Sequence, residues 1–255
     1  GYKMITHKEL REMVNSLGTQ LIELGLKGKR IAVIAENRYE WQIAYLSIVC
    51  GTGTVVPLDK SLPENEIKRL IQRAEVEAIF YSERYEEQLQ KIFKSKETKL
   101  KHLFSMSNID KLIQNGQELI KRGNTKFIDA KINSEEMNMM LFTSGTTSES
   151  KAVALSHKNI CSNLMDLAQA LQIDENDHTL SFLPLHHVFE CTVGFLLSIY
   201  RGAQISFCDG IKYILENFNE YQISFASFVP AIYENIYKNI MRKFEKQGRL
   251  EEIQD

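Results

Sequence analysis

Along the chain, short runs of branched and aromatic residues alternate with longer segments whose apolar positions recur at helical spacing. That alternation is the mark of βαβ units and a mainly parallel sheet, so the fold class expected from pattern alone is α/β. Strands are predicted at Arg30 to Glu36, Thr54 to Leu58, Glu77 to Ser82, His102 to Met106, Met139 to Thr143, Lys151 to Ser156, Thr179 to Pro184, Ala203 to Cys208 and Ile223 to Val229. After Pro63, the residues Ile67, Leu70, Ile71 and Ala74 fall at i, i+3, i+4 and i+7, which makes one helix face that packs on the sheet. Glu64 and Glu66 in its first turn suit the positive end of the helix dipole. After Pro230, Ile232, Ile236 and Ile240 repeat every four residues with Tyr233 and Tyr237 beside them, and the charged tail from Arg242 to Asp255 is expected to fray. Residues 107 to 138 are polar and irregular enough to join two halves. A boundary near Glu136 then gives one α/β unit over 1–136 and a second over 137–255. The last residues show no closing strand, so the chain reads as cut rather than finished.

Composition narrows the classes. With 255 residues and 44% hydrophobic content, the chain can bury a core without metal or disulfide staples. Lys plus Arg total 31 against 33 Asp plus Glu, and the net charge of -2 gives no field that would hold nucleic acid or an anionic membrane. The cysteines, Cys50, Cys161, Cys191 and Cys208, contain no C-x-x-C pair, which argues against a zinc site or a redox dithiol and for free thiols in a reducing compartment. Nothing at the start resembles a signal peptide, and the longest apolar run, Val188 to Tyr200, is interrupted by Glu190 and too short to span a bilayer. A soluble cytoplasmic protein is expected.

The stretch richest in chemistry is Met140 to Asn159, MLFTSGTTSESKAVALSHKN, where an apolar strand runs into small and hydroxylated residues, then a lysine, then a second strand. Thr143, Ser144, Thr146 and Thr147 offer hydroxyl donors, Gly145 lets the backbone approach an anion, and successive N–H groups in a tight turn form an anion nest. Lys151 adds a full positive charge. A Walker loop is excluded, since it needs glycine directly before the lysine and a helix after it, whereas Ser150 precedes Lys151 and a strand follows. An ordinary hydroxyl-rich hairpin is the competing reading.

The T-S-G-T-T run, a following basic residue and L-S-H-x-N together closely resemble the phosphate-binding loop of the adenylate-forming superfamily of acyl-CoA synthetases, luciferases and peptide-synthetase adenylation domains. Other elements agree in order. Ile5 to Leu10 is similar to that family's early T-Y-x-E-L element, and RIAVIAENRYEW at Arg30 to Trp41 looks like its first strand and turn. Gly51 to Asp59 resembles its G-x-x-x-V-P-L-D element, Leu183 to His187 its next motif, and Phe228 to Pro230 a later V-P turn. Leu183 to Glu190 and Val229 to Tyr237 look closest to the long-chain fatty acyl branch.

The resemblance implies part of a large N-terminal domain with two layered, mainly parallel sub-sheets and flanking helices. It also implies ATP, Mg2+ and coenzyme A as the small molecules handled, with a fatty acid as the acid activated. No nucleic-acid partner is expected, and a homo-oligomer is left open. By resemblance, Thr143, Ser144, Gly145, Thr146, Thr147, Ser148 and Lys151 cradle the ATP phosphates, His187 orients groups where the carboxylate and nucleotide meet, and His186 supports it. Phe189 and Glu190 are candidates for an acyl pocket, with plain core as the alternative for Phe189. Glu190 reads equally as a paired buried carboxylate or a rim residue. No metal site is expected among the side chains, and Trp41 is expected to pack a helix on the sheet. Ser148, Ser150 and Ala152 stand where the family most often has glycine, proline and glycine, so a loop of different shape is expected. A Y-G-x-T-E segment, a ribose-binding aspartate, a hinge and a small lid domain with a second lysine are not found before Asp255. The fragment alone is therefore expected to be inactive. A non-catalytic nucleotide or acyl binding module, or a structural domain that kept the fold, stands as the alternative.

Overall fold

A computed structural model of the chain describes residues 2–143 and 150–246. Its main body is a six-stranded sheet of β1 (Arg30–Ile34), β2 (Thr54–Pro57), β3 (Ala78–Tyr81), β4 (His102–Ser105), β5 (Met137–Thr143) and β6 (Lys151–Ser156). The order across it is β4-β3-β1-β2-β5-β6, and every neighbouring pair is parallel except the antiparallel hairpin of β5 and β6. A second, parallel sheet pairs β7 (His178–Ser181) with β8 (Gln204–Phe207). The α/β class and the two mainly parallel sheets are thus as the sequence implies.

Side-chain alternation explains why helices lie on both faces of the large sheet. On β1, Ile31 and Val33 enter one core cluster while Ala32 and Ile34 enter the other; β3 divides Ala78 and Phe80 from Ile79 and Tyr81 in the same way. The first face is covered by α1 (His7–Glu23), α2 (Tyr39–Val49) and α5 (Ile109–Lys121). The second lies under α3 (Glu64–Arg73) and α4 (Glu86–Ser95), and α3 buries the predicted stripe of Ile67, Leu70, Ile71 and Ala74.

Several motif residues turn out to build helix ends. Thr6 caps α1 in a reciprocal capping box: its hydroxyl accepts from the Glu9 N–H at 3.2 Å, and the Thr6 N–H donates to the Glu9 carboxylate at 2.7 Å. The S-H-x-N run does the same for α6 (His157–Ala170), with Ser156 as cap and Asn159 Oδ1 receiving the Ser156 N–H at 2.9 Å. His157 then pins α6 to the end of α2, its Nε2 lying 3.0 Å from the Val49 carbonyl. Gly53 permits β2 to start beside β1, because a Cβ there would sit 2.1 Å from the Lys29 carbonyl oxygen.

Two segments differ from expectation. The polar stretch from 107 to 138 contains α5, whose Ile109 and Ile113 are buried against α1. Ile223 to Val229 is not a strand; it makes one isolated parallel bridge, Phe225 to Thr179, and most of its residues stay partly exposed. The apolar segment after His187 is helical, but Glu190–Leu197 adopts π geometry before α7 (Ser198–Arg201). Beyond it lie α8 (Ile214–Glu220) and α9 (Pro230–Lys246).

Candidate active site

The loop expected to bind phosphate connects β5 to β6. Ser144, Gly145, Thr146, Thr147 and Ser148 lie outside the described residues, but both shoulders of the loop are defined. Thr143 and Lys151 face each other as the last pair of the antiparallel ladder, and both are exposed. α3 holds the flanks: Arg73 Nη1 donates to the Ser150 carbonyl at 2.8 Å, and its guanidinium lies over the Phe142 ring, 5.6 Å from the centroid. The Ser150 hydroxyl also reaches Glu66 Oε1 at 3.4 Å.

The second part of the site is the segment from Ser181 to Glu190, which leaves β7 and runs into the π-helix. His187 is exposed. Its N–H donates to the Pro184 carbonyl at 2.9 Å, its own carbonyl receives the Cys191 N–H at 3.0 Å, and its Nδ1 accepts from the Phe189 N–H at 3.3 Å. An accepting Nδ1 puts a ring proton on Nε2, which has no partner among the described residues and can donate to an oxygen anion. His186 is turned inward, its Nε2 3.6 Å from Asp59 Oδ1. Burial lowers the His186 pKa and outweighs the Asp59 carboxylate that raises it, so the ring is neutral at pH 7 and the contact is polar rather than ionic. Burial also pushes the Asp59 carboxyl up, but the Ser61 N–H and hydroxyl, at 2.8 and 2.7 Å from Oδ1, hold it below the usual range.

Phe189 and Glu190 part company. Phe189 is 41% exposed, whereas Glu190 is 2% exposed beneath it. Burial pushes the Glu190 carboxyl up to about 8, and the Ser181 hydroxyl, donating to Oε1 at 2.9 Å, only partly offsets this. Of the two readings left open by the sequence, Glu190 is therefore a buried carboxyl, hydrogen-bonded to a hydroxyl and with no cation as partner among the described residues. Gly194 makes room for it: a Cβ there would lie 2.5 Å from Glu190 Oε1. Phe195 is core, fully buried, and Tyr200 is half exposed.

Register brings these parts to one edge. Val55 on β2 pairs with Met139 on the neighbouring β5, so Asp59 and Thr143, each four residues further on, leave the sheet at the same carboxyl edge. His186 meets Asp59 there, and the β1 end reaches the same segment through Asn37, whose amide donates to the Leu183 carbonyl at 2.6 Å. The carboxyl edge of a parallel sheet is where open α/β folds bind ligands. Sequence reasoning missed Asn37, Asp59 and Arg73. Asn37 and Asp59 fall inside the motifs at Arg30 to Trp41 and Gly51 to Asp59, but their partners lie more than a hundred residues away, and no local spacing reports such contacts. Among the described residues, no cluster of three His, Cys, Asp or Glu could hold a metal ion, and no helix is long and apolar enough to cross a membrane.

The AMP-binding enzyme family matches residues 1–254. Fatty acyl-CoA synthetase A of Dictyostelium discoideum is 28% identical over 94% of this chain, which spans 38% of that protein. Long-chain-fatty-acid–CoA ligase 1 of Homo sapiens is 26% identical over 94% of the chain and 37% of its own length. The fold is similar to that of a long-chain-fatty-acid-CoA ligase from Archaeoglobus fulgidus, with a TM-score of 0.81 at 19% identity over 95% of this chain and 48% of that one. ATP-bound MatB from Rhodopseudomonas palustris has a TM-score of 0.75 at 21% identity, covering 89% of this chain and 44% of that one. The chain spans well under half the length of the curated relatives it matches.

Proposed function

The chain belongs to the AMP-binding enzyme family, and on that premise we propose that it forms the nucleotide and carboxylate sites of an AMP-forming acid–thiol ligase acting on a fatty acid. The loop between β5 and β6 binds the β- and γ-phosphates of MgATP, with Lys151 and Thr143 at its mouth. A fatty acid carboxylate, held near His187, attacks the α-phosphorus; the bond to the bridging oxygen breaks, pyrophosphate leaves and an acyl adenylate remains. Coenzyme A then takes the acyl group as a thioester and releases AMP. Magnesium arrives with the nucleotide as part of the substrate, held by phosphate oxygens.

The chain's own work in this chemistry is positioning and charge neutralisation. Lys151 offsets phosphate charge, and the Nε2 proton of His187 is a donor for a carboxylate or α-phosphate oxygen. The observation that supports the reading is the register of β2 and β5, by which Thr143, Lys151 and the Asp59–His186 contact share one edge of one sheet. The names of the relatives support a fatty acid as the acid.

Calorimetric titration of MgATP and of magnesium pyrophosphate, with Lys151→Ala beside the wild type, tests the proposal. A charge-assisted bond contributes about 1.5–3 kcal/mol, so the variant is expected to bind both ligands roughly 10- to 150-fold more weakly. Equal affinities in the two proteins would remove Lys151 from the phosphate site. Protection against thermal unfolding by palmitate but not by benzoate identifies the acyl branch, and the reverse result points to an aryl acid.

A further inference from the structure

Asn37 lies just past β1, in the turn that leads to α2, and is partly buried. Its side-chain amide uses both donor hydrogens and its oxygen on a segment distant in sequence. Nδ2 donates to the Leu183 carbonyl at 2.6 Å and to the Ser181 hydroxyl at 2.9 Å, while Oδ1 accepts the Leu185 N–H at 3.3 Å. The two backbone contacts straddle Pro184, whose carbonyl receives the His187 N–H. The Ser181 hydroxyl passes the connection on to Glu190, at the far end of the same segment. One amide thus fixes both ends of the stretch that carries His187, and it does so from the sheet that also carries the phosphate loop.

We propose that Asn37 is a positioning residue, which clamps the Leu183–Leu185 turn and thereby sets the direction of the His187 ring toward the acyl carboxylate. The inference rests on the adenylate-forming function proposed above. An amide suits the task because it presents a donor and an acceptor in one plane, matching a carbonyl and an N–H two residues apart. Alanine leaves both backbone groups without their partner. Aspartate keeps the acceptor for Leu185 but sets an anion against the Leu183 carbonyl, so it restores less than its shape suggests.

Two measurements on the full chain decide the matter, with Thr6→Ala as a control that weakens a helix cap far from the site. Long-range proton–nitrogen NMR of the histidine rings needs no ligand: wild type and Thr6→Ala are expected to show His187 as a single Nε2–H tautomer, and Asn37→Ala and Asn37→Asp as a mixture. Calorimetry then compares magnesium pyrophosphate, which occupies only the phosphate loop, with an acyl sulfamoyl adenosine, which occupies nucleotide and carboxylate sites together. Asn37→Ala is expected to weaken the second ligand about tenfold and leave the first unchanged. An unaltered tautomer in the Asn37 variants, or equal loss of both ligands, overturns the clamp. A wild type with the fixed tautomer that binds neither ligand overturns the adenylation reading while the clamp on His187 stands as geometry without that use.

Discussion

Glu190 is the residue at which burial and charge oppose each other most plainly. Its carboxyl would ionise near 4.5 in an unfolded chain, and burial raises it to about 8 in the fold. Between those pH values the unfolded state gives up a proton that the folded state keeps, so the contribution of Glu190 to stability is greatest below 4.5 and falls as pH rises toward 8. The slope attributable to this one group is about 1.4 kcal/mol per pH unit inside that window. Cys191, beside it, stays neutral throughout, because burial pushes its thiol up to about 12. Gln in place of Glu190 keeps the acceptor for the Ser181 hydroxyl and cannot ionise. Urea unfolding at pH 5, 6, 7 and 8 is therefore expected to show Glu190→Gln gaining on the wild type as pH rises, and parallel profiles would refute the assignment of a neutral, buried carboxyl.

Helices and strands differ in how far the amino-acid pattern exposes them. β1 and β3 were legible because strands buried on both faces need continuous apolar runs, and α3 because all four residues of its stripe are apolar. α5 reads as a polar connection because its stripe of Ile109, Leu112 and Ile113 is broken where the next turn offers Gly116. The packing gives the reason: a Cβ on Gly116 would lie 1.8 Å from the Ser16 carbonyl oxygen of α1, so the two helices touch backbone to backbone. Alanine normally gains up to about 1 kcal/mol over glycine inside a helix. Overpacking against an immovable backbone costs about 1–3 kcal/mol, and the clash wins at so short a distance. Gly116→Ala is expected to lower the melting temperature by about 3–8 °C, whereas a neutral or stabilising result would mean that α1 and α5 can part without cost. The candidate site was legible by halves in the same way. The loop and the histidine pair stand out as motifs, while Asn37 and Asp59 gain their meaning only when β1, β2 and the segment after β7 come together.

At the scale of the whole molecule, residue 136 marks a change in the chain's pattern, yet the core does not divide there. β5 and β6 complete the sheet begun by β1 to β4, and Phe195, from the π-helix, packs edge-on to both Trp41 and Tyr45 of α2 at centroid distances of 6.3 and 5.7 Å. Trp41 and Tyr45 stack on each other at 5.4 Å, and all three rings are at most 1% exposed. Such a shared aromatic cluster couples the two halves, since neither can lose its fold without opening the other's core. Trp41, the single tryptophan, reports on that junction directly. Urea unfolding followed by Trp41 fluorescence and by far-ultraviolet circular dichroism is expected to give coincident transitions. Phe195→Ala, which removes the ring that joins the halves, is expected to cost about 3–5 kcal/mol and to shift both transitions together. If the fluorescence transition instead moved ahead of the dichroism transition in the variant, the junction would be a docking contact between independently stable halves. The hydrogen bonds of Asn37 across it would then form only after each half had folded.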